Sequence, residues 1–533
     1  MLPILVLPVP SLPARAEGPY SPGGWATLHR SPDNRRFAGA VPIAERYRSW
    51  HALVGASVLT APTLSPDGRT LYVTTGRSEG HANLHAFAVD GHGDGDGNAG
   101  EDDDRDRAAG AGRLLWSAPT WRDARRGVDP CAILSSPIVD REGDLYVSDC
   151  NQLFAFHSDG SEKWIIALPD PQPGDWQPSE TLPINAFTTA VFSREGHVAG
   201  VTNFGDVVVV DRETGRAVAE PYRLPGRLPP ASTTVPMAES VFGEGLVDPT
   251  IREWAWQLLF GGHMRSANTP AIDLERNRLF VAATSTREGL GALHALDLVP
   301  SGANGQLEIR LAWATDMGLG SGSSPALSPD RDRVYVSDEE GLFYAIDARD
   351  GEILWRVETK STAAAAAVGE DGVVYSLQAN APALVAISPE GRILWQSDLS
   401  RLSAARLPSS WLLGDPVALG NGNPTVLAQH VLVPVVYGYE TRIGRRIPWP
   451  VHSSLVAIDR RTGEGVRDVV SLRDDSTGIT VALPDGTLIS SLGTALSSGV
   501  TGLAPLARWL LPGTLQLLEP VGGIQVSLPS DGP

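Results

Sequence analysis

Residues 323–355 read SSPALSPDRDRVYVSDEEGLFYAIDARDGEILW. Four short apolar runs lie in this stretch: Ala326-Leu327, Val334-Tyr335-Val336, Leu342 to Ile346 and Ile353-Leu354-Trp355. Asp330-Arg331-Asp332, the Asp338–Gly341 step and Asp350-Gly351 separate them. Brief alternating runs between Asp/Gly turns read as antiparallel strands joined by hairpins. The stretch therefore predicts one four-stranded unit that begins on Ser/Thr and ends on Trp.

The unit recurs. Ser135-Ser136-Pro137 to Trp164 repeats it through Leu145 to Asp149, Leu153 to Phe156 and Asp159-Gly160. Ala363 to Trp395 repeats it again before Glu390-Gly391. Trp313, Trp355 and Trp395 are 42 and 40 residues apart, and Trp116 and Trp164 are 48 apart. Four-stranded repeats of about 40–45 residues are propeller blades, because ankyrin and leucine-rich repeats are shorter and tetratricopeptide repeats are helical. Fainter copies run from Ala61 to Trp116, from Thr188 to Gly215 without a Trp, from Asn268 to Trp313, from Gly422 to Gly463, and, worn further, around Ile479 to Ile489. The reading is an all-β chain, a propeller of eight blades with seven as the alternative, spanning residues 25–500. Trp25 to Trp50 is expected to supply the outer strand that closes the ring, and residues 501–533 a cap and a final strand.

Composition agrees with this reading. The 533 residues include 56 Gly and 42 Pro, and 43 Lys+Arg stand against 62 Asp+Glu for a net charge of −19. That balance repels a phosphate backbone and removes counterion release as a driving force, which excludes nucleic acid as a partner. No stretch reaches the ~18–20 apolar residues of a helical membrane span. Residues 1–24 read as a degenerate export signal and tail: Leu2 to Leu12 is apolar but broken by prolines, and Ala14-Arg15-Ala16 is a small-x-small cleavage pattern. The expected location is periplasmic or extracellular, and the expected state a monomer.

Ala345, Asp347, Gly351 and Trp355 spell Ala-x-Asp-x-x-x-Gly-x-x-x-Trp. With the partial copies at Ala386/Gly391/Trp395, Ala155/Gly160/Trp164 and Ala457/Asp459/Gly463, the chain resembles the PQQ-like (quinoprotein-like) β-propeller family. Trp25-Ala26-Thr27-Leu28-His29 with Asn34-Arg35 is similar to the start of such proteins. The resemblance implies that Trp116, Trp164, Trp313, Trp355 and Trp395 dock between neighbouring blades, where a buried indole offers a large apolar area and an N–H for a backbone acceptor. It also implies one of two functions: a non-catalytic, BamB-like assembly scaffold, or a periplasmic alcohol or aldehyde dehydrogenase using pyrroloquinoline quinone (PQQ) and calcium.

The residues that carry chemistry favour the scaffold. The quinone enzymes bring a catalytic aspartate and often a vicinal Cys-Cys disulfide, whereas Cys131 and Cys150 lie 19 residues apart. The residues starting each innermost strand, expected to line the central funnel, are Ser135, Thr188, Asn268, Ser323, Ala365 and Asn423, with no carboxylate or histidine among them. A hard cation needs charged oxygens and a dehydrogenase needs a base, so no cofactor is expected, with PQQ and Ca as the alternative. A carbohydrate-active enzyme with carboxylates on rim loops is a third reading. The expected partner is a protein at the rim loops or a small ligand in the funnel.

Two further motifs stand out. Placing Val139 opposite Asp144 across the Asp140–Gly143 turn puts Cys131 opposite residue 152, beside Cys150; an exported protein would oxidise that pair, and two buried thiols are the alternative. Asp90, Asp94, Asp96 and Glu101 occupy first, fifth, seventh and twelfth places of an EF-hand-like loop, but His92 breaks the pattern and strands flank it, so a solvated acidic insertion is the simpler reading. The long insertion carries Trp254, Trp256, Arg252 and Arg265, suited equally to anchoring a partner or to packing over the disc.

Overall fold

The computed structural model describes residues 18–90, 112–122, 127–178, 182–227, 247–259, 263–302, 305–320, 322–360, 365–378, 383–399, 409, 415–420, 422–443, 445–476, 478–493 and 522–530. Eight antiparallel blades form the chain, each built outward from a short innermost strand. Blade I begins at Thr63–Leu64, II at Ile138–Val139, III at Val191–Phe192, IV at Ala271–Asp273, V at Ala326–Leu327, VI at Ala367–Val368, VII at Thr425–Leu427 and VIII at Val481–Ala482. Of the seven- and eight-blade readings, eight is observed.

Blade VIII is composite. Its third strand is Gly523–Pro529, and its outermost strand comes from the other end of the chain, Tyr47–Ala52, in register from Tyr47↔Pro529 to Ala52↔Ile524. The N-terminal segment thus supplies the closing strand the sequence led us to expect. Closure leaves no free end to the circle of sheets, and a free end would recruit other chains.

The core is divided in the same way. Eight apolar clusters each lie between two adjacent blades: Tyr72, Leu145 and Phe154 meet between I and II, and Tyr335, Phe343 and Val385 between V and VI. Strand alternation produces this, because successive side chains point to opposite faces and every blade has a neighbour on both. A ninth cluster lies off the ring. It joins Trp254, Ala255 and Leu258 of the helix Arg252–Leu259 to Ile184, Val247, Met264 and the Cys131–Cys150 pair, over the side of the disc formed by blades I to IV. Trp254 is 1% and Trp256 6% exposed, so the insertion's tryptophans pack inward rather than anchor a partner.

Candidate functional site

The repeat's Trp and Gly meet across blade boundaries. Trp116 donates its indole N–H to Ser158 O, Trp164 to Arg212 O, Trp355 to Pro389 O and Trp395 to Arg460 O, all at 2.8–3.0 Å and all in the next blade. Trp313 makes the same approach to blade V, lying against Gly351, but its N–H has no partner. Each ring also leans on an aromatic side chain of its own blade, as Trp355 does on Tyr335 at 5.9 Å between centroids. The glycine is required. A Cβ on Gly391 would come within 2.7 Å of the Trp355 ring, and its φ of +82° is one that L side chains avoid.

A sixth indole was not anticipated. Trp50, on the closing strand, donates to Val89 O at 3.1 Å and joins blade VIII to blade I. Where blade III lacks a Trp, the long hairpin of blade IV reaches back and Leu307 N–H donates to Val218 O.

The axis itself is occupied. Residues 20–39 form a strap that follows the inner ring and seals the unpaired amides of its strands. Leu64, Val139, Ile272, Leu327, Val368 and Val426 donate their N–H groups to the carbonyls of Trp25, Ala26, Pro32, Asp33, Arg35 and Arg36, and Phe192 donates to Tyr20 Oη, all at 2.8–3.0 Å. Trp25 Nε1 completes the circuit by donating to Ala482 O of blade VIII. An innermost strand is an edge strand, and a buried amide without a partner costs as much as a lost hydrogen bond. One segment therefore satisfies seven blades through backbone or hydroxyl acceptors and touches the eighth through an indole.

Four of the side chains expected to line the funnel hydrogen-bond to nearby backbone. Ser135 Oγ accepts from Ser148 N, Ser323 Oγ from Ser337 N, Thr188 Oγ1 donates to Asn268 O, and Asn268 Nδ2 donates to Ala282 O. Neighbouring hydroxyls tie blade to blade: Ser136 Oγ to Ala61 O, Thr425 Oγ1 to Thr480 O, Ser491 Oγ to Thr60 O. Asn423 is half-buried and its N–H donates to Gly478 O. The strap brings charged groups of its own to the inner ring. Arg36, fully buried, donates through Nη2 to Ala365 O, and Asn34 Nδ2 spans Thr269 O and Pro325 O. Burial pulls Arg36 down to about 9, and burial with the Arg36 charge holds His29 well below the ordinary imidazole range. Hydroxyls already spent on backbone partners and a guanidinium do not themselves suit a calcium ion.

Cys131 and Cys150 form a disulfide with a Cα–Cα distance of 4.9 Å. The route differs from the one read from sequence. Val139 pairs with Leu145, one residue from the expected register, and Cys131 leaves the hairpin in the 3-10 turn Pro130–Leu134 to reach Cys150 from the side. Beneath it lie two fully buried carboxyls. Asp129 Oδ1 accepts from Cys131 N and Cys150 N, Asp149 Oδ1 from Asn151 N and Gln152 N, and Asp129 N donates to Asp149 Oδ2. Burial first, then the Asp149 charge, raises Asp129 well above the ordinary carboxyl range. Asp129 and the two sulfurs cluster, but sulfurs joined to each other are not thiolate ligands. Of the EF-hand-like residues, Asp90 is exposed at the end of a blade I strand, and Asp94, Asp96 and Glu101 lie outside the described residues. No helix among the described residues is long and apolar enough to cross a membrane.

Known proteins resemble the chain in part of its sequence and in its fold. Residues 308–466 match the family described as outer membrane protein assembly factor BamB. Over 91 residues the chain is 30% identical to the outer membrane protein assembly factor BamB of Burkholderia pseudomallei strain K96243, covering 17% of this chain and 24% of that protein. The match thus spans about a quarter of the curated relative's length. Among solved structures, a europium-containing methanol dehydrogenase superposes with a TM-score of 0.52 at 14% identity, over 95% of this chain and 98% of the other. A quinohaemoprotein alcohol dehydrogenase from Pseudomonas putida HK5 gives 0.52 at 13% identity, over 96% and 81%. At such identities these two likenesses speak for the fold alone.

Proposed function

From an eight-bladed propeller whose residues 308–466 match the family of outer membrane protein assembly factor BamB, we propose that this chain is a non-catalytic binding scaffold of an oxidising, extracytoplasmic compartment, engaging a protein partner through its rim. The observation that carries the reading is the inner ring: residues 20–39 cover the inner edges of the blades, and the one charge the strap buries there is the Arg36 guanidinium rather than a carboxylate. The sequence match within residues 308–466 points the same way, since the relatives found by sequence carry the name of an assembly factor. A disulfide suits an oxidising compartment. The scaffold reading needs no quinone and no calcium. Isothermal titration with PQQ and calcium, together with dye-linked oxidation of alcohols and aldehydes, tests it. Saturable binding with turnover would replace the scaffold by a dehydrogenase. Silence in both, with co-purification of a defined envelope protein, is the expected result.

A further inference from the structure

The strap places a cation where the fold gives it no counter-charge. Arg36 is 0% and His29 2% exposed. Arg36 Nε and Nη1 and both ring nitrogens of His29 make no hydrogen bond, and Arg36 N donates to His29 O, which fixes the two residues side by side. The one acid in residues 20–39 is Asp33, and it is engaged elsewhere, accepting from Ser31 Oγ and from Arg35 Nε at 2.6 Å. No described carboxylate pairs with Arg36. A guanidinium stays protonated at neutral pH, and moving a charge out of water is costly by several kcal/mol unless it is paired and hydrogen-bonded. A fully buried guanidinium with two nitrogens unused is therefore an incomplete ion pair.

We infer that the propeller axis binds a small monoanion of the halide kind, held by Nε–H and Nη1–H of Arg36 and an N–H of His29. Every donor belongs to the segment that seals the inner edges of the blades, so the anion couples strap docking to ring stability: a ligand that binds only the closed ring stabilises it by mass action. The inference does not depend on the scaffold reading, because the buried charge belongs to the strap whatever the rim of the propeller binds.

The test uses the whole chain. Thermal unfolding is followed while sodium chloride replaces sodium gluconate at constant ionic strength, and crystals grown in sodium bromide are examined for anomalous scattering. The expected results are a melting temperature that rises saturably with chloride, and a bromide peak within hydrogen-bond distance of Arg36 Nε and Nη1. The variant H29L is expected to fold, with its chloride affinity weakened by about tenfold or more, the value of one hydrogen bond to a charged group. R36Q should abolish the chloride effect. If R36Q fails to fold, H29L and the bromide crystals still decide. Equal melting temperatures in chloride and gluconate, no bromide peak at Arg36, or a chloride response undiminished in H29L would each overturn the inference.

Discussion

Replacing Gly391 by alanine separates the two reasons each docking Trp meets a glycine of the next blade. Gly391 sits at φ +82°, and a left-handed conformation costs an L residue about 1–2 kcal/mol. The added methyl would also stand 2.7 Å from Cγ and Cδ2 of Trp355, a ring that cannot step aside, because its N–H is held by Pro389 O at 2.8 Å and its other edge by Tyr335. Overpacking of this kind adds about 1–3 kcal/mol, for a total loss of about 2–5 kcal/mol. Gly68 provides the control: its φ is +71° and nothing lies within 4 Å of its would-be Cβ, so Gly68→Ala should lose only the backbone part, about 1–2 kcal/mol. Urea unfolding of the wild type, G68A, G391A, W355L and the G391A/W355L double variant measures both. The steric part should vanish in the W355L background, giving a coupling of about 1–3 kcal/mol between positions 355 and 391. Equal losses for G68A and G391A, or additivity in the double variant, would refute the reading that indole and glycine clamp neighbouring blades.

Two further outcomes follow from the region around the disulfide. The Cys131–Cys150 bond closes a loop of sequence separation 19, worth about 3 kcal/mol in chain-entropy terms; C131A/C150A should lose roughly that amount in urea, and an unchanged midpoint would count against it. Burial pushes Asp149 up to about 7 and raises Asp129 beyond the ordinary carboxyl range. The unfolded chain therefore releases protons the folded pair keeps, and stability from this pair is full below pH ~4 and falls as pH rises from there towards 7. D129N, whose amide can donate to Asp149 and accept from Cys131 N and Cys150 N, should flatten that fall in a pH series of unfolding midpoints; an identical slope in wild type and variant would contradict it.

What the sequence made legible was local. The Asp-Gly turns, the alternation and the 40- and 42-residue Trp spacing are properties of contiguous chain, and from them the eight blades could be counted. Trp50 escaped because its motif is split: the strand before it is Gly523–Pro529, so the Ala-x-Asp-x-x-x-Gly-x-x-x-Trp pattern cannot form in one stretch of sequence. The strap escaped for another reason. Pro32 and Asp33 reach Ile272 and Leu327 through carbonyl oxygens, which every residue possesses, so no side-chain pattern announces the contact. Ser135, Thr188, Asn268 and Ser323 read as the first residues of inner strands that begin three residues later, at Ile138, Val191, Ala271 and Ala326; the partner a polar side chain finds is set by rotamer and by register, and neither is written in residue type. The cysteine pairing shows the same boundary: proximity was legible from one hairpin, while the one-residue shift and the 3-10 turn that makes the approach were not.

Blade VIII has a consequence for how the molecule is made. Ser49 and Ser527, 478 residues apart in sequence, share a hydrogen bond across it. During synthesis the leading end must wait for nearly the whole polypeptide before its partner exists, and the strap, which needs every inner strand, has no complete circle to lie on until then. Chains halted before residue 523 should therefore remain protease-sensitive at both ends, however many of their repeats have already formed.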